Sequence, residues 1–236
     1  MSCSAGEPSP VLGLVTSLPI YWPLGSGIED FASGNVNLPW QRNVLSQCFT
    51  LQPIDTLSQP SGLDLQSPQV DPLSGISKLA IVQPRALTPE DNVALDDWVR
   101  AGGEVLIVLD PLLTGHYDLP LGDPRRPMDT SLFAIPPVVT RWGLEVVFDE
   151  PETFEDGVSE IALGGAAITV EVGSQWKVID PNAATCDSFG NGYGVRCKVG
   201  QGYATLFGDA AVFEQRELAG QNYEAIAALI DIAFPR

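Results

Sequence analysis

The stretch from Lys78 to Pro111 constrains this chain more than any other. Residues 78–83 (KLAIVQ) form a short apolar run with the length and composition of a buried strand. Leu87-Thr88-Pro89-Glu90-Asp91 then opens a helix. Thr88 is an N-cap, Pro89 takes the first helical position, and Glu90 and Asp91 meet the positive end of the macrodipole. Ala94, Leu95, Trp98 and Val99 recur at helical spacing as one apolar stripe. Gly102-Gly103 stops the helix, and 104–109 (EVLIVL) follows at once as a second buried strand. Strand, capped helix, paired glycines and strand make a right-handed βαβ unit. Units of this kind imply a mostly parallel sheet covered by helices, a three-layer α/β architecture.

The remaining apolar runs fit such a sheet. Val11–Thr16 (VLGLVT) reads as a first strand, and 144–148 and 203–208 (YATLFG) as further ones. Residues 49–57 (FTLQPIDTL) alternate, with Pro53 marking an edge or a break. Alternation between glycines at 161–177 predicts hairpins, and 217–234 is expected to be the final helix, buried through Ile226, Leu229, Ile230, Ala233 and Phe234. Residues 17–40, 58–77 and 113–128 have loop composition. For 236 residues this predicts a flexible N-terminal segment, 1–10, and one α/β domain, 11–236, with a β-hairpin embellishment at about 160–200.

Four cysteines are present and no C-x-x-C, which disfavours structural zinc and thioredoxin-like chemistry. Cys186 and Cys197 flank Asn191-Gly192, the strongest two-residue hairpin signal. With that turn, Cys186 lies opposite Cys197, and a Cα separation of about 5.5 Å is expected for a hydrogen-bonded pair. A disulfide there points to an oxidising compartment. Ser2 before Cys3 and small residues after it look like the junction of a bacterial lipoprotein signal, so Cys3 is a candidate for lipidation, the alternative being a disordered chain tip. The localisation expected is therefore periplasmic or envelope-anchored, the alternative cytoplasmic. Apart from that anchor no membrane contact is expected, since no apolar run approaches the roughly 18 residues that span a bilayer.

Charge excludes several partners. Aspartate and glutamate total 30 against 12 lysines and arginines, a net charge of −18. Phosphate backbones and anionic headgroups repel such a chain, so nucleic acid is not an expected partner. One histidine removes most metal sites and most imidazole-based acid–base schemes. The acidic run 149–156 lacks calcium-loop spacing, and no nucleotide-binding or nucleophile-elbow motif is present, so no metal and no cofactor is expected.

In an open parallel sheet the ligand crevice lies at the carboxyl ends of the strands. Ser17, Tyr21, Trp22, Arg85, Asp110 and Asp209 follow strands and are the candidate ligand-binding residues, a set suited to a sugar or a carboxylate. Each also has a plain structural reading. Asp110 before Pro111 is a good turn former, Asp209 can cap a turn, Arg85 can pair with either, and Tyr21 and Trp22 can cover the sheet edge. No catalytic residue is assigned. The enzymatic alternative is a hydrolase using Asp110, His116 and Asp209.

Residues Leu79-Ala80-Ile81-Val82-Gln83-Pro84, Leu95-Asp96-Asp97-Trp98-Val99-Arg100-Ala101-Gly102-Gly103 and the strand ending Asp110-Pro111 resemble the GldG-type "ABC-type uncharacterized transport system" domain. Gly200-Gln201-Gly202-Tyr203 through Asp209-Ala210, with Asn222 and the last helix, is similar to that family's closing element. The resemblance implies a flavodoxin-like, class I glutamine amidotransferase-like fold. It also implies a non-enzymatic module, accessory to an ABC-type transport system and binding its subunits, another envelope protein or a small polar ligand. Where amidotransferase relatives carry a reactive group, this chain has Asp110-Pro111, a poor nucleophile without a base.

Overall fold

The computed structural model describes residues 9–25, 37–59, 71–120, 122–129 and 135–235. The expected lipidation at Cys3 lies outside the described residues. Eleven strands are present among them: β1 (Val11–Thr16), β2 (Thr50–Pro53), β3 (Lys78–Val82), β4 (Glu104–Val108), β5 (Leu144–Val147), β6 (Val158–Leu163), β7 (Ala166–Glu171), β8 (Gln175–Val178), β9 (Thr185–Phe189), β10 (Gly194–Val199) and β11 (Gly202–Phe207). Five helices accompany them: α1 (Trp40–Leu45), α2 (Pro89–Arg100), α3 (Pro137–Arg141), α4 (Ala211–Glu214) and α5 (Glu224–Ala233).

The molecule is a mixed α/β protein built on a seven-stranded, mostly parallel sheet in the order β2-β1-β3-β4-β11-β10-β9. β2, β1, β3, β4 and β11 run parallel, and β10 lies antiparallel to both of its neighbours. β4 shows why its sequence is continuously apolar: it is buried on both faces. Val105 and Ile107 pack in one cluster with Leu95 and Val99 of α2. Leu106 and Val108 pack in the opposite cluster with Ile226 and Leu229 of α5. Each fully buried aliphatic side chain there contributes about 1.5–3 kcal/mol.

α2 begins as its residues require. The Thr88 hydroxyl accepts from Asp91 N at 3.0 Å while the Asp91 carboxylate accepts from Thr88 N at 3.2 Å, a closed capping box. At its other end Gly102 takes a φ of +119°, which a side chain would strain. Pro53 ends β2 at the outer edge of the sheet, where its missing N–H costs nothing.

Three expectations need correction. The last helix does not start at Glu217. Gly220 and Tyr223 take positive φ values of 87° and 58°, which break the backbone, and α5 begins only at Glu224. The strand at Leu144–Val147 does not join the main sheet but pairs with β8, because Leu144 and Trp176 bury themselves beside α3 instead. The hairpin region is split: β6 and β7 form a separate ladder, whereas β9 and β10 extend the central sheet.

The cysteine register holds, with Cys197 opposite Cys186 and the two joined in a disulfide. Their Cα separation is 4.0 Å rather than the expected hydrogen-bonded spacing. Gly190–Gly192 forms a single 3-10 turn in place of a two-residue type I′ turn, and the pair falls at the closer spacing.

Candidate functional site

Between β1 and β3 the direction of strand succession reverses, since β2 lies on one side of β1 and β3 on the other. The connections leaving those strands therefore diverge and leave a crevice at the carboxyl ends. Ser17 stands at the end of β1, and Gln83 at the end of β3. The Gln83 carbonyl accepts from Ser17 N at 3.0 Å and from the Ser17 hydroxyl at 2.6 Å. The chain then turns through Leu18, whose N–H donates to the Thr16 hydroxyl at 3.0 Å, and reaches Tyr21 and Trp22.

Tyr21 and Trp22 meet edge to face with centroids 4.7 Å apart. Arg42 of α1 stacks on the Tyr21 ring at 4.0 Å and donates to the Tyr21 carbonyl at 3.3 Å. Cation–π contact and hydrogen bond hold the aromatic pair in place. Trp22 keeps 52% of its surface exposed, unusual for an indole.

These residues converge. Ser17, Tyr21, Trp22 and Arg85 line one cleft of about 510 Å³, together with Asp55 from the end of β2 and Arg125 from the loop after β4. Arg85 also lines a neighbouring cleft of about 680 Å³, beside Tyr117, Arg126 and Met128. Four of the six candidate residues thus share a site.

Asp110 and Asp209 do not. Both are buried, Asp110 at 0% and Asp209 at 1% exposure. Asp110 accepts from Leu112 N at 2.9 Å and from Ala210 N at 2.8 Å. Asp209 accepts from Ala211 N at 2.5 Å and from Glu171 N at 2.6 Å. Each carboxylate spends one oxygen on the amide two residues further along its own turn, which is the turn-forming reading of both, and the other on an amide distant in sequence. Burial pushes Asp110 well above the usual carboxylate range, and the charge of Asp209 adds to it. Burial likewise raises Asp209 to about 7, partly opposed by its amide donors and reinforced by Glu171 and Glu214.

His116 stands apart from both. Its side chain is 93% exposed and its nearest acid is Asp118, at 3.3 Å. A solvated imidazole cannot serve as base to a buried aspartate, so the hydrolase arrangement of Asp110, His116 and Asp209 is not formed. No cluster of three metal-ligating side chains is present among the described residues.

Several residues of the site escaped the sequence reading. Gln83 takes a φ of +46°, an αL conformation at a strand end, and its fully buried side chain bonds across to the backbone of Asp110, just past β4. Nothing in the sequence signals that conformation. Glu214 accepts from the amides of Thr114 and Gly115 at 3.1 Å each and from the Tyr117 hydroxyl, fixing the loop under the second cleft. Asp55 lies just past β2 in a run expected to be strand, and Arg125 and Arg126 come from a loop whose composition indicated only irregular structure.

No family model matches the chain, and neither does any curated protein. Similarity appears among solved structures. The exo-β-1,4-mannosidase Op5Man5 from Opitutaceae bacterium strain TAV5 aligns with 94% of this chain and 36% of its own, at a TM-score of 0.53 and 13% identity. Cytoplasmic protein STM1381 from Salmonella typhimurium LT2 aligns with 94% of this chain and 97% of its own, at a TM-score of 0.52 and 12% identity. A β-galactosidase from Bacillus circulans sp. alkalophilus aligns with 95% of this chain and 31% of its own, at a TM-score of 0.47 and 13% identity. The chain spans about a third of the length of these glycoside hydrolases. The expectation of a non-catalytic envelope accessory to an ABC-type transport system is overturned here: the solved structures that share the fold at a TM-score above 0.5 are named as an exo-mannosidase and a cytoplasmic protein, and neither name is that of a transport component.

Proposed function

We propose that this chain is a saccharide-recognition domain whose ligand lies in the cleft at the ends of β1 and β3. One observation carries the reading: an exposed tryptophan, a tyrosine, a serine, an aspartate and two arginines from four separate segments line a single cleft. Aromatic faces stack on the apolar faces of sugar rings, while hydroxyl, carboxylate and guanidinium groups satisfy the ring hydroxyls. The order of the five parallel strands supports a flavodoxin-like, class I glutamine amidotransferase-like sheet, in which the β1/β3 switch point is the ordinary ligand crevice. The likeness of the fold to part of a mannosidase is consistent with a carbohydrate ligand.

The reading is one of recognition rather than hydrolysis. Glycoside cleavage uses two carboxyl groups roughly 5–9.5 Å apart across the bond. Among the described residues lining the cleft, Asp55 is the one carboxylate. The Cys186–Cys197 disulfide supports a location outside the cytoplasm. No helix among the described residues is long and apolar enough to cross a membrane.

Calorimetric titration with a panel of mono- to trisaccharides tests the proposal. Binding by the native chain and loss of at least tenfold affinity in Trp22→Ala are expected. Absence of heat with every sugar, or unchanged affinity in Trp22→Ala, would reject it.

A further inference from the structure

We infer that the saccharide carries a carboxylate and that Arg85 receives it. The inference rests on the saccharide reading above and adds the charge of the ligand.

The distribution of cations motivates it. A chain with a net charge of −18 presents a field that repels anions, and only local cationic clusters oppose that field. Arg42, Arg85, Arg125 and Arg126, a third of the 12 basic residues, gather around the switch point. Three of them are already committed. Arg126 donates to the carbonyls of Tyr117 at 2.6 Å and Leu119 at 2.7 Å, and so holds its loop together. Arg125 forks onto Asp123 at 3.0 and 2.8 Å. Arg42 stacks on Tyr21.

Arg85 is different. It makes one long hydrogen bond, from Nη2 to the Arg126 carbonyl at 3.3 Å. It is exposed, borders both clefts, and forms no ion pair with a carboxylate of the described residues. Its remaining N–H groups are available as a planar fork, the geometry that matches a carboxylate with two parallel bonds.

The acids around it do not close the site to an anion. Asp123 is neutralised by Arg125. Asp129 is engaged by Leu113 N at 2.8 Å. Asp55 remains as an acceptor for sugar hydroxyls. A uronic acid presents this combination of groups: one carboxylate on a ring that otherwise bears hydroxyls and an apolar face.

The test compares a tri-uronide with the neutral trisaccharide of the same linkage, by calorimetry at low and moderate salt. Native chain, Arg85→Gln, Arg85→Lys and Trp22→Ala are titrated in parallel. The uronide should bind the native chain about tenfold more tightly than the neutral sugar, and salt should erode that preference. Arg85→Gln should lose the preference, binding the uronide no more tightly than the neutral sugar, and Arg85→Lys should keep part of it. An unchanged melting temperature shows that the variants fold.

Equal affinity for the two sugars, or a preference that survives in Arg85→Gln, overturns the acidic ligand and leaves the saccharide reading standing. No binding of either sugar overturns both. Acetate competing as strongly as the uronide would assign the site to bare carboxylates and likewise overturn both.

Discussion

Gln83 and Asp110 are joined by two hydrogen bonds that imitate a strand pairing. Gln83 Nε2 donates to the Asp110 carbonyl at 2.9 Å, and Asp110 N donates to Gln83 Oε1 at 2.8 Å. A third bond runs from Gln83 Nε2 to the Met128 carbonyl at 2.9 Å. The side chain therefore continues the β3–β4 ladder one step beyond the sheet and fastens the loop that carries Arg125 and Arg126.

Replacing Gln83 by Ala leaves a buried amide and two carbonyls without partners. A loss of about 2–4 kcal/mol is expected in denaturant unfolding. Gln83→Gly relieves the positive φ but loses the same bonds, so it should recover only about 1 kcal/mol of that loss. Gln83→Gly as stable as the native chain would show that the bonds contribute nothing.

The buried acids set the alkaline side of the stability profile. Asp209 has a folded-state pKa of about 7, above its value of roughly 3.9 in an unfolded chain. A raised value means its contribution is fully present below the unfolded pKa and is lost as pH rises through the folded one. Asp110 and Glu214, raised by burial first, act in the same direction. Unfolding free energy should therefore increase as pH falls from 8 to 5. Asp209→Asn should be less stable at pH 5, where one acceptor is lost, and should show a flatter slope between pH 5 and 8. A native slope that is flat over this range would contradict the assignment.

Asp91 governs the acid side. Its Oδ1 accepts from the Thr56 hydroxyl, Leu57 N and Ser58 N at 2.8 Å each and from the Ser58 hydroxyl at 2.9 Å. Burial alone would raise its pKa, but these donors, with Thr88, outweigh it and hold the carboxyl well below the usual range. A lowered value contributes stability above the unfolded pKa that is lost as pH falls toward the folded one. Stability should accordingly decline below about pH 4. Thr88→Ala should cost about 1 kcal/mol, the value of one cap. Asp91→Ala should cost roughly 3 kcal/mol, because it releases the 56–58 turn as well. Equal losses in the two variants would show that the turn contacts carry no weight.

The Cys186–Cys197 bridge closes a short loop between two adjacent strands of the sheet. Cys186→Ser with Cys197→Ser should lower stability by roughly 3 kcal/mol. Because β9 is the outer strand beyond β10, the parallel core should stay intact. Far-UV circular dichroism of the double variant should keep its native shape below the melting temperature, and loss of the helical signal at room temperature would show that the bridge is needed for the whole fold.

What was legible from the sequence is what depends on neighbours along the chain. Thr88, Pro89, Asp91 and Gly102 mark the ends of α2 through contacts within a few residues. The apolar run of β4 reports burial on two faces. The spacing around Asn191-Gly192 sets Cys186 opposite Cys197 even though the turn itself is of another kind. The carboxyl-end rule likewise brought Ser17, Tyr21, Trp22 and Arg85 into view.

Tertiary structure alone decided which of those residues meet. Asp110 and Asp209 follow strands as Arg85 does, yet one oxygen of each is claimed by an amide two residues on and the other by an amide distant in sequence, Ala210 for Asp110 and Glu171 for Asp209, and both are drawn under the surface. Asp55 and Arg125 reach the cleft because β2 lies outside β1 and the loop after β4 folds back over β3. Lateral strand order and loop packing arise from pairings between residues dozens to a hundred positions apart. Local propensity and periodicity carry no record of such pairings, so the sequence marked the strand ends and the assembled sheet chose which of them form a site.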